Sequence, residues 1–228
     1  MECIYLPELS KNLQIIRVTD SEARHLRALR IKDNERILIT NGAGLMCQAS
    51  VRREKKDEYI AIIEHFLDEN YGELPKELAI GVGILHDRER FEFILEKSVE
   101  LGVSLFIPLL TDYSHKKAPN ATRLQAKAIA AMKQCKRSRL PDIFEPINLQ
   151  DIIKFEFEKI ILADEQGIKP ILPQESKSIL LLVGPEGGFS TKEIKFLSKL
   201  NIEKWRFANR RLRSETAAIF GLSLLNLF

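Results

Sequence analysis

No stretch of this 228-residue chain approaches the roughly 18 consecutive apolar residues of a bilayer-spanning helix, so no membrane span is expected. The opening Met1-Glu2-Cys3-Ile4 has neither the basic cluster nor the apolar run of a secretory signal, and a cytoplasmic location is the expectation. Cysteine is scarce. Cys3, Cys47 and Cys135 are odd in number, far apart and never in a CxxC pair, which fits a reducing compartment and argues against a zinc site. His25, His65, His86 and His115 are scattered without metal-ligand spacing, so no metal is expected, and no Ser/His/Asp set assembles with any specificity. No Gly-Lys-Ser/Thr follows the glycine-rich segment near the carboxyl end, which excludes a P-loop. No G-x-G-x-x-G opens a helix, which excludes a dinucleotide fingerprint. Internal repeats and low-complexity tracts are absent as well.

One further absence is local. Between Tyr113 and Pro141 there is no Asp or Glu, while Lys116, Lys117, Arg123, Lys127, Lys133, Lys136, Arg137 and Arg139 all fall there. The chain carries only +3 overall, so the remainder is net negative. Such a stretch is either a solvated helix surface or a face that concentrates a polyanion, and the complete lack of acids favours nucleic acid.

What is present is an ordinary globular composition, 45% apolar and 29% charged, in a chain long enough for one or two domains with a sizeable core. Residues 1–70 read as a β-rich unit. Ile4 to Leu6, Leu13 to Val18, Glu35 to Thr40, Leu45 to Arg53 and Tyr59 to Leu67 are strand-like. Asn41-Gly42-Ala43-Gly44 is a hairpin signal, and a short helix is predicted from Ser21, its N-cap, to Leu29. Several short strands around one helix suggest a small barrel. Residues 71–77 read as a linker, and residues 78–228 as an α/β domain with a mostly parallel sheet. Strands are predicted over Leu78 to Leu85, Val103 to Leu109, Lys159 to Ala163, Ile179 to Val183 and Lys204 to Ala208. Helices are predicted over Arg88 to Leu101, Ala121 to Lys136, from the capping box at Ser190 to Glu193, and from Ser214, as cap, to Phe228. The last helix is apolar around most of its circumference and calls for cover from a second subunit or from the rest of the chain.

Two strand-to-helix loops carry the chemistry. Gly184-Pro185-Glu186-Gly187-Gly188 leaves a buried strand at the end where ligands sit in open α/β sheets, and its glycines permit close backbone approach; a simple tight turn is the alternative. Arg210, Arg211 and Arg213 gather at the start of the last helix, where guanidinium forks and the helix end both favour an anion. Glu215 lies within this cluster, either neutralising an arginine or taking a proton.

These two loops together resemble the bacterial 16S ribosomal RNA (uracil-N3)-methyltransferases of the SPOUT class. The likeness extends to Arg90–Lys97 with Glu100–Val103, to Ala131–Cys135 with Leu140-Pro141, and to His25–Ile31, so it covers nearly the whole chain. It implies a PUA-like β-barrel domain that helps hold RNA, followed by a SPOUT-type α/β methyltransferase domain with a trefoil knot. It further implies S-adenosylmethionine as cofactor, a homodimer, and 16S rRNA or the 30S particle as partner. By that likeness Leu182, Gly184, Pro185, Glu186, Gly187, Gly188, Phe207, Asn209, Leu212 and Ser214 hold the cofactor. From its place beside the cofactor loop, Arg213 is expected to steady the anion formed at uracil N3, and Glu215 is the candidate general base. Arg27, Arg30, Lys116, Lys117, Arg123, Lys133, Lys136, Arg137, Arg139, Arg210 and Arg211 meet RNA. The chain departs from the common pattern at Tyr113, Lys133, Ala208 and Ser214. A non-catalytic ribosome-assembly factor, or the same chemistry on transfer RNA, are the competing readings.

Overall fold

The computed structural model describes residues 1–171 and 176–227. The chain forms two compact units, Met1–Glu73 with Ile129–Leu140, and Leu74–Ala128 with Pro141–Phe228.

The first unit is built on strands β1 (Cys3–Tyr5), β2 (Ile15–Val18), β3 (Glu35–Thr40), β4 (Met46–Lys55) and β5 (Glu58–Phe66), in the order β1-β3-β4-β5-β2. The pairings are antiparallel except β1 with β3. Alternating residues supply the core: Ile37 and Ile39 from β3, Cys47, Ala49 and Val51 from β4, Tyr59 and Ala61 from β5. Helix α1 (Asp20–Ala28) adds Ala23 and Leu26 to it. The Asn41 turn forms as read: the Asn41 side chain accepts from Ala43 N and Leu45 N at 2.8 and 3.1 Å, closing the β3–β4 hairpin. Ser21 is not the helix cap. Thr19 occupies the cap position with no side-chain cap bond, and its hydroxyl is spent on Asp20 at 2.9 Å. Asp20 and Glu22 in the first turn supply the negative charge a helix start favours. Burial pushes the Cys3 thiol up to about 12 and the Cys47 thiol up to about 11, which marks both as core residues.

The second unit is a seven-stranded sheet. It consists of β6 (Glu77–Gly83), β7 (Leu105–Leu110), β8 (Asp142–Ile143), β9 (Ile147–Asn148), β10 (Lys159–Ile168), β11 (Ser178–Val183) and β12 (Ile202–Trp205). The order is β12-β10-β11-β6-β7-β8, with β9 also beside β7, and every pairing is parallel. Strands buried on both faces read as continuous apolar runs, and Ile179 to Val183 is one. Helices α2 (Arg88–Glu100), α4 (Thr191–Leu197) and α5 (Ser214–Asn226) belong to this unit. Helix α3 (Ala121–Cys135) contributes its residues up to Ala128 here and the rest to the first unit. The α2 face of Phe91, Ile94, Leu95, Ser98 and Val99 is buried as its spacing predicts.

β8 and β9 are absent from the sequence reading, and of the strand limits that differ from it, two bear on the site. β10 continues five residues past Ala163, through Asp164, Glu165 and Gln166, whose charge hides a strand from a hydrophobic criterion. β12 lies earlier than Lys204 to Ala208. It ends at the fully buried Trp205, leaving Phe207 and Ala208 in the loop. On α5, Ala218, Gly221, Leu222 and Leu225 are buried within the chain, while Phe220 and Leu227 are exposed; Phe228 lies outside the described residues.

Candidate functional site

Because the strands run parallel, the loops after β6, β7, β10, β11 and β12 all leave the same edge of the sheet. At the β10, β11 and β12 ends they enclose a cavity of about 860 Å³. Its walls are Ala163–Gln166, Val183–Phe189, Lys204–Ala208 and Arg210–Glu215, with Arg90 from α2. That volume lies in the range of small-molecule and cofactor sites.

The glycine loop is a formed turn with an open side. Gly188 N–H donates to Pro185 O at 2.8 Å, and Gly188 has φ +73°, a conformation that favours glycine. A Cβ placed on Gly188 would meet nothing within 4 Å, so the space beside its backbone is free for a ligand. The loop is clamped at Glu186. The Glu186 carboxylate accepts from His86 N at 3.1 Å, and its backbone carbonyl accepts from Arg211 Nη2 at 3.2 Å. The predicted capping box is present, with Glu193 accepting from Ser190 N at 2.7 Å and Ser190 Oγ from Glu193 N at 3.3 Å.

The arginine loop meets the glycine loop directly. Ser214 is not the cap of α5; Arg213 occupies that position, and Ser214 Oγ donates instead to Gly184 O at 2.8 Å. Arg211 also reaches Glu165 within β10, 3.4 Å from Nε, so one guanidinium ties the glycine loop to that strand. Glu215 sits between two cations, 3.8 Å from Arg90 Nε and 4.0 Å from Arg213 Nη1, and is largely buried. Arg213 itself is mostly exposed. The result is a pocket with backbone polar groups on one wall and guanidinium groups on the other, suited to a polar ligand beside an anionic one.

Of the residues expected at a cofactor, Gly184, Pro185, Glu186, Gly187, Gly188, Phe207, Leu212 and Ser214 line this cavity. Leu182 is fully buried in the sheet core, and Asn209 is exposed beyond the wall. Arg210, Arg211, Arg213 and Glu215 line it too. The sequence reading lacked the Asp164–Gln166 wall and Arg90. Arg90 lies two residues after the first residue of α2, and only the packing of that helix brings it to Glu215.

The acid-free stretch looks different in three dimensions. Arg123 pairs with Glu92, whose hydrogen bond and charge hold the guanidinium above its usual pKa, and Lys127 pairs with Glu96. Lys133 pairs with Glu22 at 2.8 Å, and Arg137 is buried against Glu73. Arg139 donates to Asn70 at 2.7 Å, and Lys116 to the Thr111 carbonyl at 2.9 Å. Arg27 pairs with Asp57. Lys117, Lys136 and Arg30 are exposed and have no carboxylate partner among the described residues. Acids distant in sequence therefore neutralise much of the run, and Arg137 in particular is a structural residue.

Comparison with known proteins adds to this geometry. A model of the RNA methyltransferase domain matches residues 72–226, and one of the RNA methyltransferase PUA domain matches residues 18–64. The Ribosomal RNA small subunit methyltransferase E of Aquifex aeolicus is 33% identical over 99% of both chains. That of Bacillus subtilis is 26% identical over 92% of this chain and 88% of its own. The crystal structure of the Neisseria gonorrhoeae Ribosomal RNA small subunit methyltransferase E, bound to S-adenosyl methionine, superposes with a TM-score of 0.90 at 28% identity, covering 100% of this chain and 97% of that one. A Legionella pneumophila protein solved with bound SAM superposes at 0.85 with 29% identity, over 99% and 96%.

Proposed function

Because the chain belongs to the RNA methyltransferase family, with a SPOUT-type α/β unit and a small PUA-like barrel unit, we propose that it is an S-adenosylmethionine-dependent methyltransferase of small-subunit ribosomal RNA. The observation that carries this reading is the cavity at the β10–β12 ends, walled by both predicted loops, in a chain that superposes over its full length on a methyltransferase bound to S-adenosyl methionine. The acceptor atom is N3 of a uridine, the protein works in the cytoplasm as a homodimer, and its RNA is presented free or in the 30S particle. The exposed Phe220 and Leu227 of α5 supply apolar surface for the second subunit.

The residues present fit the cofactor. The open side of Gly188 and the backbone groups of Gly184–Gly188 would hold the nucleoside part, and the guanidinium groups of the facing wall would suit its carboxylate. Bound S-adenosylmethionine supplies a methyl group on a sulfonium, an electrophile with a neutral leaving group. The protein's part is to align the uracil nitrogen with that methyl and to take up charge. Uracil N3 loses a proton as it becomes the nucleophile, and Arg213, exposed on the cavity wall, stabilises the anion. Glu215 steadies Arg213 and Arg90 through its two ion pairs, and in this reading it accepts the proton as general base.

Incubating 30S particles from cells lacking the protein with methyl-labelled S-adenosylmethionine tests the reading. Stoichiometric label recovered as N3-methyluridine in 16S rRNA is expected. No incorporation would point to an assembly factor, and label appearing in transfer RNA would redirect the substrate.

Two smaller effects are expected. Ser214→Ala removes the bond between the loops, worth about 1 kcal/mol net, and should weaken cofactor affinity roughly fivefold in calorimetric titration. Lys117→Gln and Lys136→Gln should each lower the slope of log affinity against log salt for RNA by about 0.7, since both cations are exposed and uncommitted. An unchanged slope would move the RNA path elsewhere.

A further inference from the structure

The loop after β7 sets the Tyr113 ring against the glycine loop, and we propose that Tyr113 is the stacking platform for the uracil that is methylated. This rests on the reading of the cavity as a methyl-transfer site. Every neighbour of Tyr113 in that loop is tied down. Thr111 N–H donates to Ser114 Oγ at 2.9 Å, and Ser114 Oγ donates to Thr111 O at 3.0 Å. Asp112 N–H donates to Glu193 at 2.8 Å, and the Asp112 carboxylate accepts from Ser190 Oγ. His115 N–H donates to Ile84 O at 2.8 Å. The Tyr113 ring itself is half-exposed, with 51% of its surface open.

The ring is also seated against the site. A Cβ on Gly187 would lie 2.9 Å from Tyr113 Cβ and 3.2–3.3 Å from its ring atoms Cγ and Cδ2, so the tyrosine packs on the bare backbone of Gly187. Gly187 lines the cavity, so the ring packs on the backbone of a residue of the cavity wall. N3 lies on the Watson–Crick edge of uracil and is engaged in any paired base. An enzyme that reaches it must therefore hold the base out of its stack. Unstacked RNA bases are held on aromatic faces, and a rigidly presented ring does so at little entropic cost. Lys116 and Lys117 follow three and four residues later, and the exposed Lys117 suits the phosphate beside such a base.

The test compares the parental enzyme with Tyr113→Phe, Tyr113→Leu and Tyr113→Ala in methyl transfer to 30S particles, alongside cofactor affinity by calorimetry. The phenylalanine variant should match the parent. The leucine and alanine variants should raise the KM for RNA about tenfold, with cofactor affinity unchanged. Leucine keeps apolar bulk on Gly187 without a π-face, so a loss shared by leucine and alanine but spared in phenylalanine reports stacking and not packing. A leucine variant with the parental kcat/KM for RNA overturns the stacking role. Weakened cofactor affinity with an unaffected KM for RNA overturns it as well, because the ring would then serve the cofactor. A parental protein that transfers no methyl group overturns the reading of the site and the stacking role together; parental activity with an unaffected leucine variant overturns the stacking role alone.

Discussion

Replacing Arg213 with Ala is expected to slow single-turnover methylation on the order of 100- to 1,000-fold, the usual cost of removing one donor that meets charge developed in a transition state. Cofactor affinity should change far less. The side chain is 68% exposed and its nearest carboxylate, on Glu215, is 4.0 Å away, so the folded protein loses no tight ion pair and gains no buried unpaired charge. Its removal acts on the substrate complex. Arg213→Lys should recover part of the rate, since it keeps the charge and loses the planar fork. Glu215→Gln should fall between, because the carboxylate also holds Arg90 at 3.8 Å. Rapid-quench measurement with saturating cofactor separates the outcomes. A parental rate in the alanine variant would remove Arg213 from the chemistry, and an equal loss in cofactor affinity would make it a binding residue.

Arg137→Ala is expected to cost about 3–5 kcal/mol of stability, the range for breaking a buried ion pair from one side. Arg137 is only 3% exposed, and its Nε and Nη2 reach Glu73 Oε2 at 3.1 and 2.6 Å. Glu73 also accepts from Arg139 N at 2.9 Å, so one carboxylate holds the segment after α3 within the first unit. Without the guanidinium, that carboxylate stays buried with its charge uncompensated. Glu73→Ala should be similarly damaging, and the double variant should cost less than the two single changes added together. Urea unfolding curves for the four proteins supply the comparison. A parental midpoint for Arg137→Ala, combined with a flatter salt dependence of RNA binding, would instead make this residue a phosphate contact.

The contrast between these two arginines shows how far local pattern reaches. Both stand in basic segments; the sequence reads Arg137 as an RNA contact and Arg213 as the residue that meets the uracil anion. Arg213 follows a strand end and opens a helix, and that position alone sends it to the cavity. Arg137 follows α3, where Lys136 at φ +58° ends the helix and the chain turns inward toward a glutamate 64 residues earlier. No periodicity reports a partner at that distance. The same limit applies to β10, whose Asp164-Glu165-Gln166 extension reads as loop and forms the third wall of the site. It applies again to Ser214, whose place before an apolar run looks like a cap and whose hydroxyl goes to Gly184.

By itself the sequence determined the alternation of strands and helices, the parallel sheet, and the chemical character of the two loops. Apolar spacing, capping residues and glycine or arginine content act within a few residues of one another. The tertiary structure alone decided that β10 lies between β12 and β11. That strand order brings the Asp164–Gln166 wall to the cavity, while α2 packing brings Arg90, the loop after β7 seats Tyr113 on Gly187, and ion pairs such as Arg137 with Glu73 spend cations on distant carboxylates. Strand order and ion-pair partners depend on contacts between residues tens of positions apart, and those contacts form only when the chain closes on itself.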